Sequence, residues 1–154
     1  MPDVDAPKDV VSDLLDRIVE ALGLDAEVEV LDDGETITGI VHGEDVGLLI
    51  GHHGQTIDAV QHLAARMVHG DSHRPARRVT IDAGGYRERR RLALVGMADD
   101  AADEALRVDR AVALEPMSAA ERRIVHEHLR DRDGIETYSE GEEPDRHLVV
   151  EPSD

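Results

Sequence analysis

The apolar helical pattern that runs from Leu48 to Met67 is broken by four residues, Gly51-His52-His53-Gly54, and two glycines set three apart end one helix and begin another. A short helix is expected through Leu48, Leu49 and Ile50, capped by Asp45. Beyond the break, Ile57, Val60, Leu63, Ala64 and Met67 recur at helical spacing and are expected to face inward. Glycines that bound two residues let the backbone approach a ligand without Cβ collisions and aim the amides of the second helix at a phosphate. Taken alone, such a tetrapeptide is more often a tight turn between helices.

The flanking segments define the unit around that turn. Residues 9 to 22 place Val10, Val11, Leu14, Leu15, Ile18, Val19 and Leu22 on one helical stripe, and Gly23 supplies a stop. Ala26, Val28 and Val30 alternate with Glu27 and Glu29, Asp32-Asp33-Gly34 makes a turn, and Thr36 to His42 returns as a strand. Val79 and Ile81 alternate with Arg78, Thr80 and Asp82 in a third strand before Gly84-Gly85. The order is α-β-β-α-α-β.

A second unit follows. A long helix is expected from Tyr86 to about Leu106, with Arg87, Arg89, Arg90 and Arg91 at its N-terminus, where the macrodipole disfavours positive charge and an anionic partner would relieve it. Ala111 to Leu114 reads as a short strand, and Ser118-Ala119-Ala120-Glu121 is a capping box opening a helix to about Leu129. Ile135 to Ser139 and His147 to Val150 read as strands around the turn Gly141-Glu142-Glu143-Pro144-Asp145, while the ends, 1 to 8 and 152 to 154, are expected to fray. Arg122 and His126, four apart on the capped helix, share a face. A guanidinium fork beside an imidazole can hold a phosphate, whereas the alternative is an exposed pair among Arg123, Glu127 and Arg130.

Charge is uneven along the chain. The total of -18 argues against a polyanionic ligand, yet residues 46 to 91 carry 4 acids and 8 bases, whereas residues 1 to 45 carry 14 acids and 2 bases. Only this middle stretch is basic. It also holds five of the nine histidines, His52, His53, His62, His69 and His73, so a fall in pH toward 6 adds further positive charge to it. Aromatic residues are 1% of the chain, Tyr86 and Tyr138 with no Phe or Trp, so recognition cannot rest on rows of stacking rings. There is no cysteine, hence no disulfide, thiolate metal site or cysteine nucleophile. No apolar run approaches the ~20 residues of a membrane span, and the acidic start lacks a signal peptide's basic and apolar regions. A cytoplasmic protein without membrane insertion is expected.

Within its α-β-β-α-α-β setting, the string Leu49-Ile50-Gly51-His52-His53-Gly54-Gln55-Thr56-Ile57 resembles a type II KH domain, whose loop clamps about four backbone nucleotides. Ala113-Leu114-Glu115-Pro116-Met117-Ser118, then Glu121-Arg122-Arg123-Ile124-Val125-His126, then Glu136 through Pro144 resembles the R-three-H domain of the bacterial Jag (SpoIIIJ-associated) family, and Gly85-Tyr86-Arg87-Glu88-Arg89-Arg90 resembles its junction. The resemblance implies an α+β protein with a KH-like domain at 8–83 and an R-three-H domain at 84–151. It implies single-stranded RNA as ligand, a post-transcriptional regulator or RNA chaperone of the Jag type, a second small KH protein as partner and a functional link to the membrane insertase. The family's extra N-terminal module is expected to be missing, and His52 and His53 stand where many KH domains carry Arg or Lys.

On this reading Gly51, His52, His53, Gly54 and Gln55 hold phosphates, flanked by Arg78, Arg87 and Arg90, while Arg122 and His126 form a second phosphate clamp. Unpaired bases are expected against Ile50, Ile57, Val60 and the strand edge near Val79. No catalysis, metal or cofactor is expected: H-E-x-x-H, G-x-S-x-G, the P-loop and G-x-G-x-x-G do not occur, and His52, His53 and His69 lack a carboxylate at ligand spacing. The competing reading is an acidic protein-interaction adaptor, in which the acidic segments 1 to 45 and 131 to 154 repel RNA and engage a basic partner.

Overall fold

The computed structural model describes residues 6–70 and 76–154; the expected fraying of residues 1–5 and the position of His73 lie outside the described residues. The chain divides into two compact units, Met1–Arg87 and Glu88–Asp154.

In the first unit α1 (Pro7–Ala21) opens with proline at its start and buries Val11, Leu15 and Val19 at four-residue spacing. Gly23, at φ 64°, reverses the chain, and the Leu24 N–H closes on the Val19 carbonyl at 3.0 Å. Leu22, expected in the buried stripe, is therefore exposed, and Leu24 packs on the core in its place. Strands β1 (Glu27–Asp32) and β2 (Thr36–His42) form the expected hairpin. Its turn is built by side chains: Asp32 accepts the Gly34 N–H, and Asp33 accepts those of Glu35 and Thr36. Strand β3 (Arg78–Ala83) pairs parallel to β2, which gives the order β1-β2-β3.

Gly39 sits at the centre of this sheet, opposite Val30 and Ile81. A Cβ there would meet Leu15 at 2.6 Å and Ile81 at 2.8 Å, so α1 lies against the sheet at a depth that only glycine permits. The core is completed by Ile37, Val41, Val46, Leu49, Ile57 and Ala64. Two expectations fail here. α2 (Gly47–Ile50) starts at Val46 without a side-chain cap, so Asp45 does not cap it; burial of Val46 and Leu49 fixes its entry instead. Leu63 and Met67 of α3 (Gln55–His69) point outward, because Ile57, Val60 and Ala64 already fill the face against the sheet.

Helix α4 (Tyr86–Val108) begins with Tyr86 and Arg87 in the first unit; its length in the second unit buries Leu94 and then Ala98, Ala101, Ala102 and Ala105, a nearly bare face that lets neighbours approach closely. The capping box closes as expected: Ser118 Oγ accepts the Glu121 N–H and Glu121 accepts the Ser118 N–H, opening α5 (Ala119–Leu129). Strands β4 (Val112–Ala113), β5 (Ile135–Glu140) and β6 (His147–Pro152) form an antiparallel sheet in the order β4-β6-β5. The C-terminal end is not frayed as expected, since Pro152 belongs to β6 and the Ser153 N–H donates to the Gly134 carbonyl at 2.9 Å. Both cores are aliphatic, and each fully buried Leu or Ile contributes about 1.5–3 kcal/mol.

Candidate nucleic-acid interface

In the first unit, α2 ends at Gly51, whose φ of 73° and ψ of -177° only glycine adopts comfortably. A Cβ on Gly51 would fall 2.2 Å from the Thr56 hydroxyl oxygen and 3.0 Å from the Thr56 nitrogen, so the loop backbone presses onto the start of α3. His52–Gly54 makes one 3-10 turn, with His53 in the left-handed region at φ 50° and Gly54 at φ 79°. Gly54 then stands at the N-terminus of α3, which has no side-chain cap. Asp58 is the acidic residue in that first turn, where it faces the positive end of the helix macrodipole.

His52 and His53 are exposed and their rings stack at 4.0 Å between centroids; Gln55 is exposed beside them. The loop therefore offers polar tips and backbone rather than a greasy surface. Ile50, Ile57, Val60 and Val79, expected to meet bases, are at most 9% exposed and face the core, because the space between the two helices and the sheet must be filled by them. The exposed large apolar side chains of α2 and α3 are instead Leu48, Leu63 and Met67.

The arginines divide by partner. Arg78 is exposed at the head of β3, beside a groove of about 460 Å³ lined by Gly34, Glu35, Thr36 and Arg77, while Arg77 pairs with Asp32. Arg87, expected on phosphate, is turned inward: Nε donates to the Ile81 carbonyl at 2.7 Å, and its two terminal nitrogens donate to Asp58 and Gln61 at 3.0 Å each. Arg90 donates to Glu121 at 2.8 Å with 17% of its side chain exposed, and Arg91 forks onto Glu88, holding that carboxyl below its ordinary range. Arg87, Arg90 and Arg91 at the start of α4 are therefore each paired with a carboxylate of the chain. His69 is likewise occupied, its Nε2 on the Arg77 carbonyl at 2.7 Å.

In the second unit Arg122 and His126 line one groove of about 320 Å³ with Arg123, Thr137, Tyr138 and Ser139. Their roles differ. Arg122 is 8% exposed, donates to Glu143 at 2.6 Å, and keeps a buried Nε with no hydrogen-bond partner among the described residues. His126 is exposed and shares a hydrogen bond with the Thr137 hydroxyl at 2.5 Å through Nδ1, which fixes the ring. Burial first, then the carboxylates of Glu151 and Glu140, raises the phenol of Tyr138 above its ordinary range, so it stays a neutral donor at the groove edge. Thr137, Tyr138 and Glu143 were missed by the sequence reading of this site. The alternation of β5 is the signal that places Thr137 on the helix side; nothing local marks Glu143. No group of three or more metal-ligating side chains occurs among the described residues.

Residues 8–81 match the KH domain of the KhpA/KhpB type, and residues 92–152 match the R-three-H domain. The chain belongs to the KhpB, or Jag, family. It is 36% identical over 145 residues to the RNA-binding protein KhpB of Clostridium symbiosum, covering 93% of this chain and 65% of that protein. The Bacillus subtilis protein of the same name is 36% identical over 141 residues (88% of this chain, 66% of that protein). For that of Lactiplantibacillus plantarum the figures are 37% over 140 residues, 90% and 42%. The chain thus spans two thirds or less of these family members. No helix among the described residues is long and apolar enough to cross a membrane.

Proposed function

We propose that this member of the KhpB family is a single-stranded RNA-binding protein, a post-transcriptional regulator or RNA chaperone without catalytic activity, acting in the cytoplasm. The observation that carries the reading is the Gly51–Gly54 loop: two glycines that admit no side chain, an uncapped helix N-terminus behind them and two exposed imidazoles in front. The Gly51, Gly54 and Gln55 amides donate to the carbonyls of Gly47, Gly51 and His52, so the backbone amides of His52 and His53 receive phosphate, with the two imidazoles and Arg78 adding polar or positive groups. Arg122 and His126 hold a further phosphate in the groove of the R-three-H unit. A second small KH protein is the protein partner that the family suggests, and a functional link to the membrane insertase belongs to the same reading.

The adaptor reading has its own support, because a net charge of -18 repels RNA and most of the described arginines already answer carboxylates. Replacing His52 and His53 together by Asp separates the two. The loop is exposed, so circular dichroism is expected to be unchanged, while two anions against a phosphate lower affinity for an unstructured oligouridylate about tenfold or more, equivalent to at least ~1.4 kcal/mol. Unchanged RNA binding in a folded double variant overturns the loop assignment. Unchanged RNA binding together with retained capture of a basic protein partner would favour the adaptor.

A further inference from the structure

Tyr86 and Arg87, where α4 begins, take no part in the RNA surface proposed above, yet both grip it from behind. The Tyr86 ring lies so close to Gly54 that a Cβ there would stand 2.7 Å from Cε1 and 2.8 Å from the phenol oxygen. The Arg87 guanidinium reaches Asp58 and Gln61, in the first two turns of α3, and the Ile81 carbonyl of β3. Gln61 Oε1 accepts the Ile81 N–H as well, at 2.9 Å, and the Arg87 backbone N–H donates to Asp82 at 3.2 Å. One ring therefore closes over the second loop glycine while one fork ties the helix behind it to the sheet.

Within the loop the Gly54 N–H donates to the Gly51 carbonyl at 3.4 Å and the Gln55 N–H to the His52 carbonyl. α3 lacks a side-chain cap, and His53 occupies a left-handed conformation that persists only where the surroundings over-determine it. We propose that Tyr86 and Arg87 are positioning residues for the Gly51–Gly54 loop: they keep its amides and the N-terminus of α3 in the geometry that receives phosphate, and so set RNA affinity without touching RNA. This inference rests on the proposed RNA reading of the loop. The chemistry demands arginine, since a planar fork serves three acceptors in fixed directions and a lysine ammonium at the end of a flexible stem does not.

The test uses the full chain, isotope-labelled, with Tyr86→Phe, Tyr86→Ala and Arg87→Lys. Amide exchange and chemical shifts of residues 51–56 are compared with those of Val11, Leu15 and Ile37, and affinity is measured with a short oligouridylate. In Arg87→Lys and Tyr86→Ala the loop amides are expected to exchange faster and shift while the core amides keep their protection, and RNA affinity falls about tenfold. Tyr86→Phe, which keeps the ring and loses only the phenol oxygen, loosens the loop less than Tyr86→Ala. A merely structural role would lower loop and core protection together, or leave the loop amides of Arg87→Lys unmoved, and either result overturns the proposal, as does a loosened loop with unchanged affinity. Should Tyr86→Ala fail to fold, Arg87→Lys decides. If wild-type protein itself does not bind the RNA, the reading under Proposed function fails, and the loop amides still report whether the two residues position the loop.

Discussion

At the level of single residues, Arg122 carries the sharpest consequence. Its fork is nearly buried, one terminal nitrogen is held by Glu143, and Nε has no partner among the described residues, so a phosphate entering the groove competes with a carboxylate already present. Glu143 itself is 60% exposed at its side chain and can swing away at small cost. If the groove holds a phosphate, Arg122→Ala weakens all single-stranded sequences about equally and reduces the magnitude of the slope of log affinity against log salt by roughly 0.7. Glu143→Gln, which keeps the shape and removes the competing charge, strengthens binding. Titrations at several salt concentrations measure both, and a slope unchanged in folded Arg122→Ala would leave Arg122 as an internal ion pair only.

Among elements, the β1–β2 hairpin carries two carboxyls in its turn whose charged forms the fold favours. Hydrogen bonds from the Thr36 and Glu35 amides hold the Asp33 carboxyl below its ordinary range, and the Arg77 side chain followed by the Gly34 amide does the same for Asp32. A carboxyl whose folded pKa is lowered adds stability that is present above the ordinary aspartate value of about 3.9 and is lost as pH falls through the folded value. Asp33→Ala is therefore less stable than wild type at pH 6, and the gap narrows below about pH 4. Urea midpoints at a series of pH values check this. A gap that stays constant down to pH 3 would mean that the Asp33 charge does not matter to the turn.

Across the whole chain, the two units have separate aliphatic cores, one closed by Leu15, Ile37 and Ile81, the other by Leu94, Leu129 and Leu148. Truncating a residue of one core removes contacts from that core alone. Leu129→Ala is expected to destabilise the second unit by about 2–5 kcal/mol while native-state amide exchange of Ile37 and Ile81 stays at wild-type levels. Equal losses in both units would show a single cooperative fold. Charge is also a property of the whole: at -18 the chain repels a polyanion at a distance, so RNA affinity must arise at short range.

Features legible in the bare sequence are those that depend on neighbours along the chain. Helical and strand periodicity, the stop at Gly23, the Asp32-Asp33-Gly34 turn, the Ser118 capping box and the glycines at 51 and 54 are interactions within a few residues, and each can be read without coordinates. Which arginine meets which carboxylate is a tertiary matter. Arg87 finds Asp58 across 29 positions, Arg90 finds Glu121 across 31 and Arg122 finds Glu143 across 21. Ile50 and Leu63 exchanged their expected roles for the same reason, since periodicity marks an apolar residue but the packing of α2 and α3 on the sheet selects which ones are covered. Pairing over such distances is set by how elements stack, and no local pattern encodes it.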